Sequence, residues 1–298
     1  MKTFILFLIV VTLIPGCSSN TARDIAEQGR IARQNGEYQE ALTHYRHALM
    51  LMSSADDRFG EGVTHLNIGM VYYDLNDADR ALHSYGQALD IMREIDNRSG
   101  EGKALNNIGI VYKDQGENEL ALDNFKKALR IKIEEGDRSG ESTTLTLIGG
   151  VYQAQGSFTQ ALDSYTQVLA ISREIDDRRG ECDILADIGN LYNSQHEYAL
   201  ALDNYNQALP ILKELGDRRG EGIVLANMGM MHSMLDQYDQ ALEILELALD
   251  IKEELGDRRG EGVVLNDLGV AYEWQGKYDE AVNCYEQVLP IVKEMDDT

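Results

Sequence analysis

The chain has 298 residues, with 51 Asp and Glu against 27 Lys and Arg, giving a formal net charge of −24. So negative a field repels phosphate backbones and anionic head groups, which argues against nucleic acid as a partner and keeps a long protein soluble. Only 3 Pro are present, and no Ser- or Gly-rich tract marks a linker or a second domain between residue 22 and the C-terminus.

The first predicted element is an export signal. Met1-Lys2-Thr3 is a short basic start, and Phe4–Ile14 is an apolar run interrupted only by Thr12, too short to span a bilayer as a stable helix. The run ends in Ile14-Pro15-Gly16-Cys17 followed by Ser18-Ser19-Asn20, which resembles the lipobox of bacterial lipoproteins, with Pro15 an uncommon residue in the middle. That resemblance implies a lipoprotein-type signal peptide over 1–16, cut before Cys17, and acylation of Cys17 by fatty acids such as palmitate. It further implies a lipid-anchored tether over 17–21 and a periplasm-facing protein of the bacterial envelope. Ser18 rather than Asp after the cysteine favours the outer membrane over the inner.

From residue 20 onward the chain repeats itself every forty residues. Glu61, Glu101, Glu141, Glu181, Glu221 and Glu261 keep the interval, as do Gly29, Gly69, Gly109, Gly149, Gly189, Gly229 and Gly269. The repeats are 20–59, 60–99, 100–139, 140–179, 180–219, 220–259 and 260–298. A fixed period of this size is the mark of a stacked architecture. Inside a repeat, Leu105, Ile108 and Tyr112, then Ala121, Phe125, Ala128 and Leu129, recur at three- and four-residue steps, so each repeat predicts two helices. Gly116, Gly156 and Gly276 stand at the turn between them, where the backbone becomes left-handed.

Between repeats, Asp57, Asn97, Asp137, Asp177, Asp217 and Asp257 each precede a helix and can cap it. The arginines that follow, Arg58 to Arg258, stand one turn before the repeated Glu, a spacing expected to give an exposed pair contributing a few tenths of a kcal/mol. Pro210 and Pro290 fall inside second helices, where each removes a backbone hydrogen bond and is expected to bend the helix. Cys182 and Cys284 lie in the fifth and seventh repeats, too far apart in a stack to bridge, and read as small packing residues.

Gly69, Tyr72, Ala81, Tyr85 and Ala88, and forty residues later Gly109, Tyr112, Ala121, Phe125 and Ala128, resemble the tetratricopeptide repeat pattern. The length of the unit and its Gly-Asp-Arg-x-Gly-Glu joint resemble the forty-residue subclass of that family. Ala32, His232, Leu245, Val168 and Val288 depart from the pattern. The resemblance covers residues 20–298 and implies an all-α, right-handed superhelical solenoid of seven helix-turn-helix repeats over 22–298, whose first helices line a concave groove.

No catalytic constellation stands out. His44, His47, His65, His83, His196 and His232 form no His-Glu-x-x-His segment, no serine sits in a Gly-x-Ser-x-Gly elbow, and neither metal nor cofactor is called for. Binding is the expected role. One groove slot reads Asn67, Asn107, Leu147, Asp187, Asn227, Asp267, with Asn106, Asn190, Asn193 and Asn266 beside it. Amides supply donors and an acceptor for the backbone of an extended peptide. Towards the C-terminus the slots carry Met230, Met234, Val270 and Trp274, an apolar anchor, while Met228 and Met231 should face the core. Leu289, Ile291, Val292 and Met295 are expected as an exposed face on the last helix, open to a partner or to another copy. The expected function is therefore a scaffold or adaptor holding a partner protein or peptide. A peptide-responsive sensor and a self-assembling scaffold are the alternatives.

Overall fold

A computed structural model describes the backbone of residues 15–296, with side chains from 20 to 294. Residues 1–14, part of the expected signal peptide 1–16, and the side chains of Cys17 and Met295 lie outside the described residues. Fourteen helices and no strand are found among the described residues, which form two compact units meeting at Val151 and Tyr152. The first unit holds α1 (Pro15–Gln34), α2 (Tyr38–Ser54), α3 (Arg58–Asp74), α4 (Ala78–Glu94), α5 (Arg98–Asp114), α6 (Asn118–Glu135) and most of α7 (Arg138–Ala154). The second holds α8 (Phe158–Glu174), α9 (Arg178–Ser194), α10 (Tyr198–Leu215), α11 (Arg218–Met234), α12 (Tyr238–Glu254), α13 (Arg258–Trp274) and α14 (Tyr278–Asp296). Among the described residues helical backbone is present from Pro15 onward, ahead of Ala22.

The expected hairpins are present: α1 packs on α2, α3 on α4 and α5 on α6 in the first unit, and α9 on α10, α11 on α12 and α13 on α14 in the second. Second helices also pack on the helix that follows, α2 on α3 and α4 on α5 in the first unit, and α8 on α9, α10 on α11 and α12 on α13 in the second. All six predicted caps form. The side chains of Asp57, Asn97, Asp137, Asp177, Asp217 and Asp257 accept from the amide three residues on, at 2.7 to 2.9 Å, each worth about 1 kcal/mol. Gly116, Gly156 and Gly276 turn the chain at φ of 79°, 70° and 82°, where an L side chain is strained.

The repeated small residue of the first helix seats a ring of the second. A Cβ on Gly109 would stand 2.5 Å from the Phe125 ring, and Gly69 faces Tyr85 and Gly189 faces Tyr205 in the same way. Phe125 and Tyr205 are fully buried as a result, and burying a ring of this size stabilises by about 3 kcal/mol. Gly229 meets Leu245 instead, so the departure from an aromatic at that position still fills the seat. Cys182 and Cys284 are free and buried, as packing residues should be, and burial pushes both thiols up, Cys182 to about 11.

Three readings need correction or completion. The Arg–Glu pair at the joint is half-buried rather than exposed, because the repeated Glu is covered, Glu61 for example at 7% exposure, while its arginine keeps contact with water. Arg98 donates to Glu101 at 2.7 Å and also to Glu134 at the end of the hairpin's second helix, at 2.7 Å. Arg178 joins Glu181 and Glu214, and Arg218 joins Glu221 and Glu254, so each arginine ties the start of a hairpin to its end. Ile291 is not on an exposed face but is buried against α13, while Leu289 and Val292 are exposed as expected. Finally, α10 and α14 stay helical through Pro210 and Pro290, whose exposed positions leave the unpaired carbonyls of the preceding turn to water.

Candidate functional site

In the first unit, the first helices α1 and α3, and α3 and α5, run beside one another. The seam continues to α7 and opens into a cavity of about 520 Å3. Asn67, Asn106 and Asn107 line it together over an apolar floor that includes Val63, Met70, Ile110 and Leu147. The amide nitrogen of Asn106 donates to Thr144 Oγ1 at 2.9 Å, while its Oδ1 is buried with no hydrogen-bond partner. An acceptor so placed is costly unless a ligand or water donates to it. Lys103 and Phe59 also line this cavity, and sequence reasoning missed both. A signal existed for Lys103, which stands four residues before Asn107 on the same helix face.

In the second unit the predicted residues divide. Asn190 Oδ1 accepts from the Tyr205 hydroxyl at 2.7 Å and from Asn227 Nδ2 at 3.4 Å, so two of the amides hold each other and a core tyrosine. Asn193 contributes its backbone carbonyl to the turn, accepting from the His196 amide at 2.9 Å. Asn266 is exposed beside Asp267.

Asp187 and Asp267 are partly buried, and burial pushes each carboxyl up to about 6. Asp183, one turn away, adds repulsion at Asp187, whereas Asn266 partly offsets the push at Asp267. A smaller crevice of about 280 Å3 lies between α9 and α11, lined by Arg179, Asp183, Ala186 and Ile223. Asp183 and Ile223 occupy the repeat positions that Val63 and Lys103 hold in the first unit.

Met230, Met234 and Trp274 are exposed, Trp274 at 46%, whereas Met228 and Met231 are buried as expected. Ile223 and Val263 extend the apolar surface on the same two helices. Among the described residues no group of three or more His, Cys, Asp or Glu could hold a metal ion, and no helix is long and apolar enough to cross a membrane.

Paired helices repeating within each unit define a helical-repeat protein. The tetratricopeptide repeat model matches residues 20–94, 63–134, 100–174, 140–214 and 220–294, and the chain belongs to that family. No curated protein matches it. Among solved structures it is similar to the apo form of RapI, with 17% identity, a TM-score of 0.66, and 93% of this chain and all of that one covered. A signal-transduction ATPase with a tetratricopeptide repeat sensor from Pyrococcus horikoshii gives a TM-score of 0.79 at 14% identity, over 94% of this chain but 45% of that one. The apo form of the quorum sensor NprR from B. thuringiensis gives 0.63 at 16% identity, over 92% of this chain and 77% of that one.

Proposed function

We propose that this protein is a non-catalytic binding module, of the forty-residue tetratricopeptide subclass, that holds an extended peptide or a segment of a partner protein along its first helices. The observation that carries the reading is the seam of the first unit. Three asparagine side chains gather over an apolar floor, and one of their oxygens is buried without a donor. Such a surface offers hydrogen bonds to a peptide backbone and apolar room for its side chains. Asn67→Ala with Asn107→Ala is expected to lower capture of envelope proteins or peptides in a pull-down while leaving the helical circular dichroism unchanged. Undiminished capture by the folded double variant would refute the groove.

A sensor role has its own support. The likeness extends to RapI, to the quorum sensor NprR, and to a Rap protein crystallised with Competence and Sporulation Factor. In that reading a peptide changes the arrangement of the hairpins, and small-angle scattering with and without peptide tests it. Assembly of copies through the exposed Leu289 and Val292 on α14 is tested by sedimentation at high concentration.

The lipobox-like Ile14-Pro15-Gly16-Cys17 supports attachment to the bacterial envelope, facing the periplasm from the outer membrane. Labelled fatty acid should enter the wild-type chain and not Cys17→Ser. Equal labelling of the two would refute the anchor.

A further inference from the structure

The slot that carries Asn67, Asn107 and Asn227 carries Asp187 in the fifth repeat. The fold accepts a neutral amide of the same shape at this position in three other repeats, so nothing in the packing of the hairpin requires a carboxylate. The carboxylate is also badly placed for the free protein. It is partly buried on α9, and among the described residues no ion pair or hydrogen bond reaches it. The phenols of Tyr165 on α8 and Tyr205 on α10 lie near enough for its charge to push both upward, burial being the larger cause in each. Asp183, on the next turn of α9, is held by Arg179 at 3.6 Å, and Arg179 is itself taken by Asp217 at 2.6 Å. Arg219 lines the same crevice as Asp183, but among the described residues the one charge that acts on Asp187 is the repelling carboxylate of Asp183.

A desolvated charge without a counter-ion costs stability, and such a cost is kept where a ligand supplies the missing partner. We infer that Asp187 is the receptor for a basic side chain, Lys or Arg, of the bound peptide. The surroundings fit that occupant. Asn190 and Asn227 present amides beside the carboxylate, and Ile223, Met230 and Met234 on α11 leave an exposed apolar surface for the neighbouring residues of the peptide. An ammonium or guanidinium seated here would be charge-complementary to the Asp187 carboxylate, on which no positive group acts. Asp267 occupies the same slot two repeats on and is partly buried as well. This inference rests on the binding role proposed above and adds the chemistry of the ligand.

The test uses the full chain in detergent and N-acetylated, C-amidated apolar hexapeptides carrying, at each position in turn, lysine or acetyl-lysine. Affinities are read by fluorescence anisotropy. Some lysine peptide should bind the wild type roughly 30-fold or more tighter than its acetyl-lysine twin, the effect of a desolvated charge pair. Asp187→Asn should bring that ratio close to one while acetyl-lysine peptides bind as before, and Asp203→Asn, on the exposed side of α10, should leave the ratio intact. A ratio near one in the wild type, or one unchanged in Asp187→Asn, overturns the inference while the binding role stands. If neither lysine nor acetyl-lysine peptides bind, both fall.

Discussion

Asp187→Asn should make the unliganded protein more stable at neutral pH. Burial, helped by Asp183, raises the folded carboxyl from 3.8 to about 6. In the unfolded chain it titrates at its ordinary value, so between about pH 4 and pH 6 the native state holds a proton that the unfolded state has lost. Stability therefore falls as pH rises through this window, and the penalty is complete above it. A shift of roughly two units corresponds to about 3 kcal/mol, and solvent reaching a partly exposed group reduces this to about 1–3 kcal/mol.

The amide removes the charge without changing the shape, as Asn227 does at the same slot. Urea unfolding followed by circular dichroism at pH 7 and pH 4, with hydrogen exchange of α9 and α10 to localise the change, reads the effect. The variant should gain at pH 7 and match the wild type at pH 4. An equal stability at both pH values, or a loss at pH 7, would refute the desolvation argument and with it the reason for seeking a cationic ligand.

Two glycines should respond in opposite directions to the same substitution. Gly86 has open space where a Cβ would go, so Gly86→Ala should stabilise by about 0.5–1 kcal/mol, whereas Gly109→Ala drives a methyl into the Phe125 ring and should destabilise by about 1–3 kcal/mol. At Glu181 burial pushes the carboxyl up, but Arg173 and Arg178 outweigh it and hold the group below the ordinary carboxylate range. Its contribution is present above that range and lost as pH falls through the lowered value, so Glu181→Gln should cost about 1–3 kcal/mol at pH 7 and progressively less in acid, by urea titration at each pH. Ile291→Ala should cost about 2–4 kcal/mol in thermal or urea unfolding, because the side chain fills space against Gly262 on α13. A neutral result there would return Ile291 to the surface.

The sequence by itself determined the repeat, the hairpins and the joints, because these are local. A cap needs only Asp217 and an amide three residues on, and a left-handed turn needs only Gly116. Small residues at fixed intervals place helix against helix however distant the rest of the chain is. Correct identification of Met228 and Met231 as core rests on the same short periodicity. What tertiary structure decided is where charge is hidden from water. Glu61 and its copies look exposed on a helical wheel, but the end of the partner helix covers them and supplies a second carboxylate to the arginine, a contact thirty-six residues away in sequence. Ile291 looks free until α13 is laid against it. Asn107 and Asp187 fill one slot of one pattern, yet Asn107 lines an open cavity while Asp187 sits beside two phenols with no positive group acting on it. Periodicity fixes which face a side chain takes, and only the packed neighbours fix the solvent, partners and charge that it meets there.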